Sequence, residues 1–132
     1  MKNELKNMFT EHWKYLAVNA ACKLNLFDAL EIPKTANELA NVLNLNEKNL
    51  ENLLQALCNN DFLKCTDGNF SLTAKSELLT DNHPDSLKYA CMNWADEHLT
   101  AWQNLDYSIK TGKSAFENLY QSNFFDPFRQ AS

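Results

Sequence analysis

Glycine is nearly missing from this sequence: Gly68 and Gly112 are the two among 132 residues. A dinucleotide-binding turn or a phosphate-cradling loop needs glycines clustered after a strand, because a Cβ there would hold the backbone away from the ligand. Neither can be built here. Arginine is scarcer still, with Arg129 alone, and the chain carries a net charge of −5. Surfaces that bind nucleic acid depend on clustered Lys and Arg, so the charge balance argues against that class. Cys22, Cys58, Cys65 and Cys91 contain no Cys-x-x-Cys pair, and His12, His83 and His98 are scattered. Zinc-ligand spacing is therefore absent, and the thiols read as reduced and packed in a cytoplasmic protein. No run approaches the roughly 20 apolar residues of a membrane span. The opening "MKNELKNMFTEHWKY" lacks the apolar core of a signal peptide.

What the sequence does have is helical periodicity, on an ordinary globular composition of 45% apolar and 22% charged residues. From Glu4 to Leu24, Leu5, Phe9, Trp13, Leu16, Ala20 and Leu24 recur at steps of three and four. Met8, Tyr15, Val18 and Cys22 add a second apolar face, which is more than one neighbouring element can cover. "NLFDALEIP" closes the segment, with Phe27 and Leu30 directed inward and Pro33 as a breaker. Thr35 and Glu38 spell a capping box for a short helix that buries Leu39, Ala40 and Leu43. Asn46 then caps a helix whose Leu50, Leu53, Leu54, Leu57 and Cys58 follow the amphipathic template without a miss.

"FLKCTDGNFSLT" follows. Asp67-Gly68 predicts a two-residue type I′ hairpin turn, which pairs Thr66 with Asn69, Cys65 with Phe70, Lys64 with Ser71 and Leu63 with Leu72. Leu63, Cys65, Phe70 and Leu72 then share one face, and a hairpin this small must lie against helices. Thr73 is expected to cap a short helix through Leu79. Pro84 is expected to open a single long helix over Asp85 to Ile109, ended by Gly112, with one further short helix and an aromatic tail in "KSAFENLYQSNFFDPF". The reading is mainly α: a winged helix-turn-helix at 34–73 with a small β-hairpin wing, flanked by helices at 1–30 and 84–132.

That shape is best known for reading DNA. Here the outward face of the second helix would carry Glu47, Lys48, Asn49, Glu51, Asn52 and Gln55, and residues 34–73 hold three lysines against five acids. Phosphate contacts need cations, so no nucleic-acid partner is expected.

The order "ACKLNLFDAL", "TANELANVLNLNEKNLENLLQALCNNDFL", "FSLTAKSELLTDNHPDSL" and "WQNLDYSIKTGKSAFE" resembles the N-terminal region of S-adenosylmethionine-dependent O-methyltransferases of the acetylserotonin and caffeic acid type, which include bacterial tailoring enzymes. The match is strongest in LNLFDAL at Leu24–Leu30, in the Leu-x-x-Leu-Leu-x-Ala-Leu helix at Leu50–Leu57, and from Trp102 to Phe116. It departs where the family often has arginine and this chain has Asn52 and Gln55. The resemblance implies a winged-helix dimerisation domain that caps the substrate site of a Rossmann-like methyltransferase domain. The catalytic histidine and the S-adenosylmethionine loop of such a domain would lie beyond Ser132, so no catalytic, cofactor or metal residue is assigned here. The chain is expected to be a piece of a longer enzyme. A freestanding interaction protein and a DNA-binding regulator remain as alternatives.

By the same resemblance, Trp94, Trp102, Phe124 and Phe125 are candidates for the wall of a pocket for a small aromatic or polyketide-like substrate. Packing is the competing reading for all four. Leu5, Phe9, Trp13, Leu16, Met92 and Leu99 are candidates for a homodimer interface. His98 lies in an apolar stripe, and its neighbours Asp96 and Glu97 point to other sides of a helix, so they form no acid–base pair.

Overall fold

The computed structural model describes residues 1–115, so the expected tail helix, Phe124 and Phe125 lie outside the described residues. The described residues divide into two compact units, one over Met1–Met92 and a second that begins at Asn93. In the first unit α1 (Lys2–Lys23) leads through α2 (Leu26–Ala29) to α3 (Ala36–Leu43) and α4 (Glu47–Asn59). β1 (Leu63–Thr66) and β2 (Asn69–Leu72) form an antiparallel pair, followed by α5 (Ala74–Glu77) and α6 (Lys88–Asn93).

Local chemistry sets these boundaries. Thr35 Oγ1 accepts the Glu38 amide at 3.2 Å, while the Glu38 carboxylate accepts the Thr35 amide at 3.2 Å, which completes the capping box. Asn46 Oδ1 accepts the Asn49 amide at 2.9 Å and starts α4. Asp67 and Gly68 take φ of +53° and +79°, as a type I′ turn requires, and the strand register is the expected one at all four pairs. The segment before α3 also joins the wing, since Lys34 and Phe70 exchange two backbone hydrogen bonds of 3.1 and 2.7 Å.

The core of this unit gathers Leu26, Phe27 and Leu30 with Leu39, Leu50, Leu54, Leu57 and Leu63, and includes the last turns of α1 through Val18, Ala21 and Cys22. Three expectations are corrected. Cys65 is exposed although it alternates with Leu63, because the hairpin tip runs out past the helices it rests on. The helix after Thr73 stops at Glu77 rather than Leu79. The single helix over Asp85–Ile109 does not form as one piece. Pro84 sits in a turn, and the Leu87 amide is engaged by the Leu78 carbonyl at 2.7 Å, so helical bonding begins only at Lys88, whose amide meets Ser86 Oγ at 3.2 Å.

In the second unit the chain forms a π-helical turn at Trp94–His98, then α7 (Leu99–Gln103) and α8 (Leu105–Thr111). Such a turn closes i→i+5 bonds and shifts the stripe that a 3.6-residue period predicts. Asn104 interrupts the run, with its side-chain amide donating to the Thr100 carbonyl at 2.8 Å. Gly112, at φ +70°, ends α8 with its amide on the Ser108 carbonyl at 2.9 Å.

One buried charge ties the first unit together. Lys88 is 3% exposed, and its Nζ donates to Asp28 Oδ2 at 2.6 Å, Asn25 Oδ1 at 2.7 Å and Asp81 Oδ2 at 3.1 Å. Burial by itself pulls the ammonium pKa down, but hydrogen bonds and charges from the two aspartates outweigh it and hold the pKa above the ordinary 10.5. Because the aspartates keep partial access to solvent, Lys88→Met is expected to lower the urea unfolding free energy by about 2 kcal/mol rather than by the larger loss of a fully buried pair. A lysine raised on folding stabilises fully below its unfolded pKa, and that contribution is lost as pH climbs through the folded one. The gap between wild type and Lys88→Met should therefore stay constant at neutral pH and narrow above pH 10.5 in alkaline unfolding scans.

Candidate functional site

The apolar surplus expected from the sequence is visible along α1. Val18, Ala21 and Cys22 are buried, whereas Leu5, Met8, Phe9, Trp13 and Leu16 face outward, Phe9 at 61% and Trp13 at 63% exposure. Exposed Leu or Met residues scattered singly mean little, but large side chains at steps of three and four make a continuous apolar stripe. The His12 ring lies edge-on to Trp13, with centroids 5.8 Å apart. Met92 is half-buried against the core of the first unit.

In the second unit Trp94, Trp102, Leu105 and Ile109 are exposed, while Leu99 and His98 are half-buried. A groove of about 310 Å³ runs past His98, Ala101, Trp102, Leu105, Ser108 and Ala115. It is lined mainly by carbon, and its far wall is fixed by the Ala115 amide donating to Ser108 Oγ at 2.9 Å. Trp102 lines this groove and Trp94 is not among its walls. A groove of this size and character suits a small aromatic ring better than a charged ligand. The groove itself was not legible in the sequence, because it depends on the return of the chain at Gly112.

The outward face of α4 carries Glu47, Lys48, Asn49, Glu51, Asn52 and Gln55, all exposed. Two of these polar groups are spent on each other or on neighbours: Gln55 Nε2 donates to Asn59 at 3.1 Å, and Glu47 accepts from Asn37 at 3.3 Å. Among the described residues no three His, Cys, Asp or Glu side chains are grouped to hold a metal ion, and no helix is long and apolar enough to cross a membrane.

A helix-turn-helix with a packed wing and a long helix with an uncovered apolar stripe define a winged-helix association domain. Comparison with known proteins gives the family. The O-methyltransferase dimerisation domain matches residues 7–82, and the chain belongs to that family. It is similar to the phenazine O-methyltransferase PhzM of Lysobacter antibioticus, 27% identical over 123 residues, covering 92% of this chain and 36% of that protein. It is also similar to the 3-amino-4-hydroxybenzoate 4-O-methyltransferase of Streptomyces cremeus, 33% identical over 116 residues, covering 86% of this chain and 32% of that one. Among solved structures, the N,N-8-amino-8-demethyl-D-riboflavin dimethyltransferase RosA of Streptomyces davawensis superposes with a TM-score of 0.87 at 26% identity, over 96% of this chain and 38% of that chain. The chain thus spans about a third of the length of the curated relatives it matches.

The burial pattern separates folding residues from surface ones. Trp102→Ala, at a ring 67% exposed, should leave the urea unfolding free energy of the chain within about 0.5 kcal/mol of wild type. Leu54→Ala, at a side chain with no exposure, should lower it by about 3 kcal/mol.

Proposed function

We propose that this chain is the dimerisation and substrate-capping part of a bacterial S-adenosylmethionine-dependent O-methyltransferase, and that two copies associate through the outward stripe of α1. The carrying observation is that stripe: Leu5, Phe9, Trp13 and Leu16 lie uncovered on a domain whose family is named for dimerisation. Obligate interfaces bury on the order of 2,000 Å² or more and are rich in aromatic side chains, which fits Phe9 and Trp13. Met92 and Leu99 belong to the same proposal as further interface candidates.

S-adenosylmethionine and the catalytic groups are assigned to a separate domain of the full-length protein, since the relatives are about three times as long as the stretch they share with this chain. The acceptor is proposed to be a small aromatic or polyketide-like metabolite. Two relatives are named for a phenazine and an aminohydroxybenzoate, and the groove beside Trp102 offers an apolar wall for a ring. The free thiols among the described residues suit a reducing cytoplasm. The acidic outward face of α4 disfavours the regulator reading, for want of cations to neutralise phosphate.

Sedimentation equilibrium of the chain at micromolar concentration should give twice the monomer mass. Trp13→Asp should sediment as a monomer with unchanged far-UV dichroism. A wild-type monomer under these conditions overturns the dimer. In a gel-shift assay with random duplex DNA at low salt, no retardation is expected; salt-sensitive retardation would restore the regulator reading.

A further inference from the structure

A second groove lies entirely within the first unit, between α1, the corner that joins α4 to β1, and α5. Its volume is about 470 Å³, it is lined mainly by carbon, and it shares no lining residue with the groove beside Trp102. Buried Val18 and half-buried Tyr15 and Phe62 supply its apolar surface, and the exposed Lys14 and Lys75 supply positive charge.

Local contacts hold these walls. Asp61, at φ +63°, turns the chain out of α4, and the Phe62 amide closes on the Leu57 carbonyl at 2.9 Å. Thr73, the cap of α5, donates its hydroxyl to the Asp61 carbonyl at 2.8 Å, which keeps Phe62 and Lys75 on one corner. Across the groove, the Tyr15 hydroxyl donates to the Cys91 carbonyl at 2.6 Å and so anchors its ring. The Lys75 ammonium lies 5.2 Å from the Phe62 ring centroid, a cation–π contact, and among the described residues no carboxylate is paired with it. Lys14 meets Glu11 at 3.5 Å, but both side chains are more than half exposed, so the pair is weak. Two cations against one carboxylate leave the groove positive on a chain of net charge −5.

We propose that this groove binds a planar aromatic carboxylate, with its ring packed on Tyr15, Val18 and Phe62 and its carboxylate met by Lys14 and Lys75. The volume falls in the range of small-molecule sites, which combine apolar walls with a few placed charges. An inorganic anion would leave the apolar walls wet, and an uncharged ring would leave the cations unanswered. A second copy of the chain is the competing occupant. Glu11, Lys14, Tyr15 and Val18 fall on the side of α1 roughly opposite Leu5, Phe9, Trp13 and Leu16, so a dimer formed through that outward stripe leaves the groove open. The site lies within one copy and does not rest on the methyltransferase reading, so a wild-type monomer would leave it standing.

Calorimetric titration of the whole chain with salicylate tests this. Saturable binding is expected, and the neutral salicylamide should bind about tenfold more weakly, for want of a charge-assisted contact. Raised salt should weaken the acid and not the amide. Lys14→Met and Lys75→Met keep the side-chain stem and remove the charge. Each should cost about fivefold in salicylate affinity, as exposed ion pairs do, with unchanged far-UV dichroism. Amide resonances of Tyr15, Phe62 and Lys75 should shift on titration. The proposal fails if salicylate shows no saturable binding at millimolar concentration, or if salicylamide binds as tightly. Shifts confined to Trp102, Leu105 and Ser108 would place the acid in the other groove and overturn it as well. Loss of self-association in Lys75→Met, without loss of salicylate affinity, would give the groove to a second copy.

Discussion

The length of α1 is the constraint from which the rest follows. Twenty-two residues make a helix about 33 Å long, yet the core of the first unit receives only its last turns, at Val18, Ala21 and Cys22. The preceding turns carry Phe9 and Trp13 into solvent. Within one copy of this chain that stripe has no cover among the described residues, and hydrophobic free energy scales with the area left wet. A stripe of this kind is the surface that the proposed dimer would bury.

Where α1 ends, the fold turns polar. Asn25 takes a left-handed backbone at φ +57°, and its side chain meets the Lys88 ammonium alongside Asp28 and Asp81. The interaction joins three stretches far apart in sequence: the α1–α2 turn, the loop after α5 and the start of α6. Burying one cation among two carboxylates and an amide is tolerable only because each donor finds an acceptor, and the partial solvation of the aspartates lowers the desolvation cost. Neighbouring Cys91 extends the same junction through its carbonyl to Tyr15 and Asn19.

Much of this was legible residue by residue. The Thr35–Glu38 box, the Asn46 cap and the Asp67-Gly68 turn act within four residues, so their geometry is local and the strand register follows from it. The long helix expected after Pro84 differs at its start and in its middle for reasons that are non-local or off-period, and it breaks again at Asn104. Leu87 gives its amide to Leu78, and the π turn at Trp94–His98 inserts a slip that leaves the apolar spacing looking regular. Cys65 looked inward by alternation, yet alternation says which face a residue takes and not whether anything lies against that face. The candidate Trp94 and Trp102 could not be told apart in sequence, since both fall on one apparent stripe.

Composition, charge and short-range signals determined the helical class, the winged helix-turn-helix, the hairpin register and the shortage of cations on α4, because each rests on backbone preferences or on side-chain charge. Tertiary structure alone decided which half of α1 is buried, that Lys88 is enclosed by Asp28 and Asp81, that the Cys91 carbonyl meets Tyr15 and Asn19, and that Trp102 lines a groove. Those outcomes depend on contacts between residues dozens of positions apart, and no local propensity encodes where such residues meet.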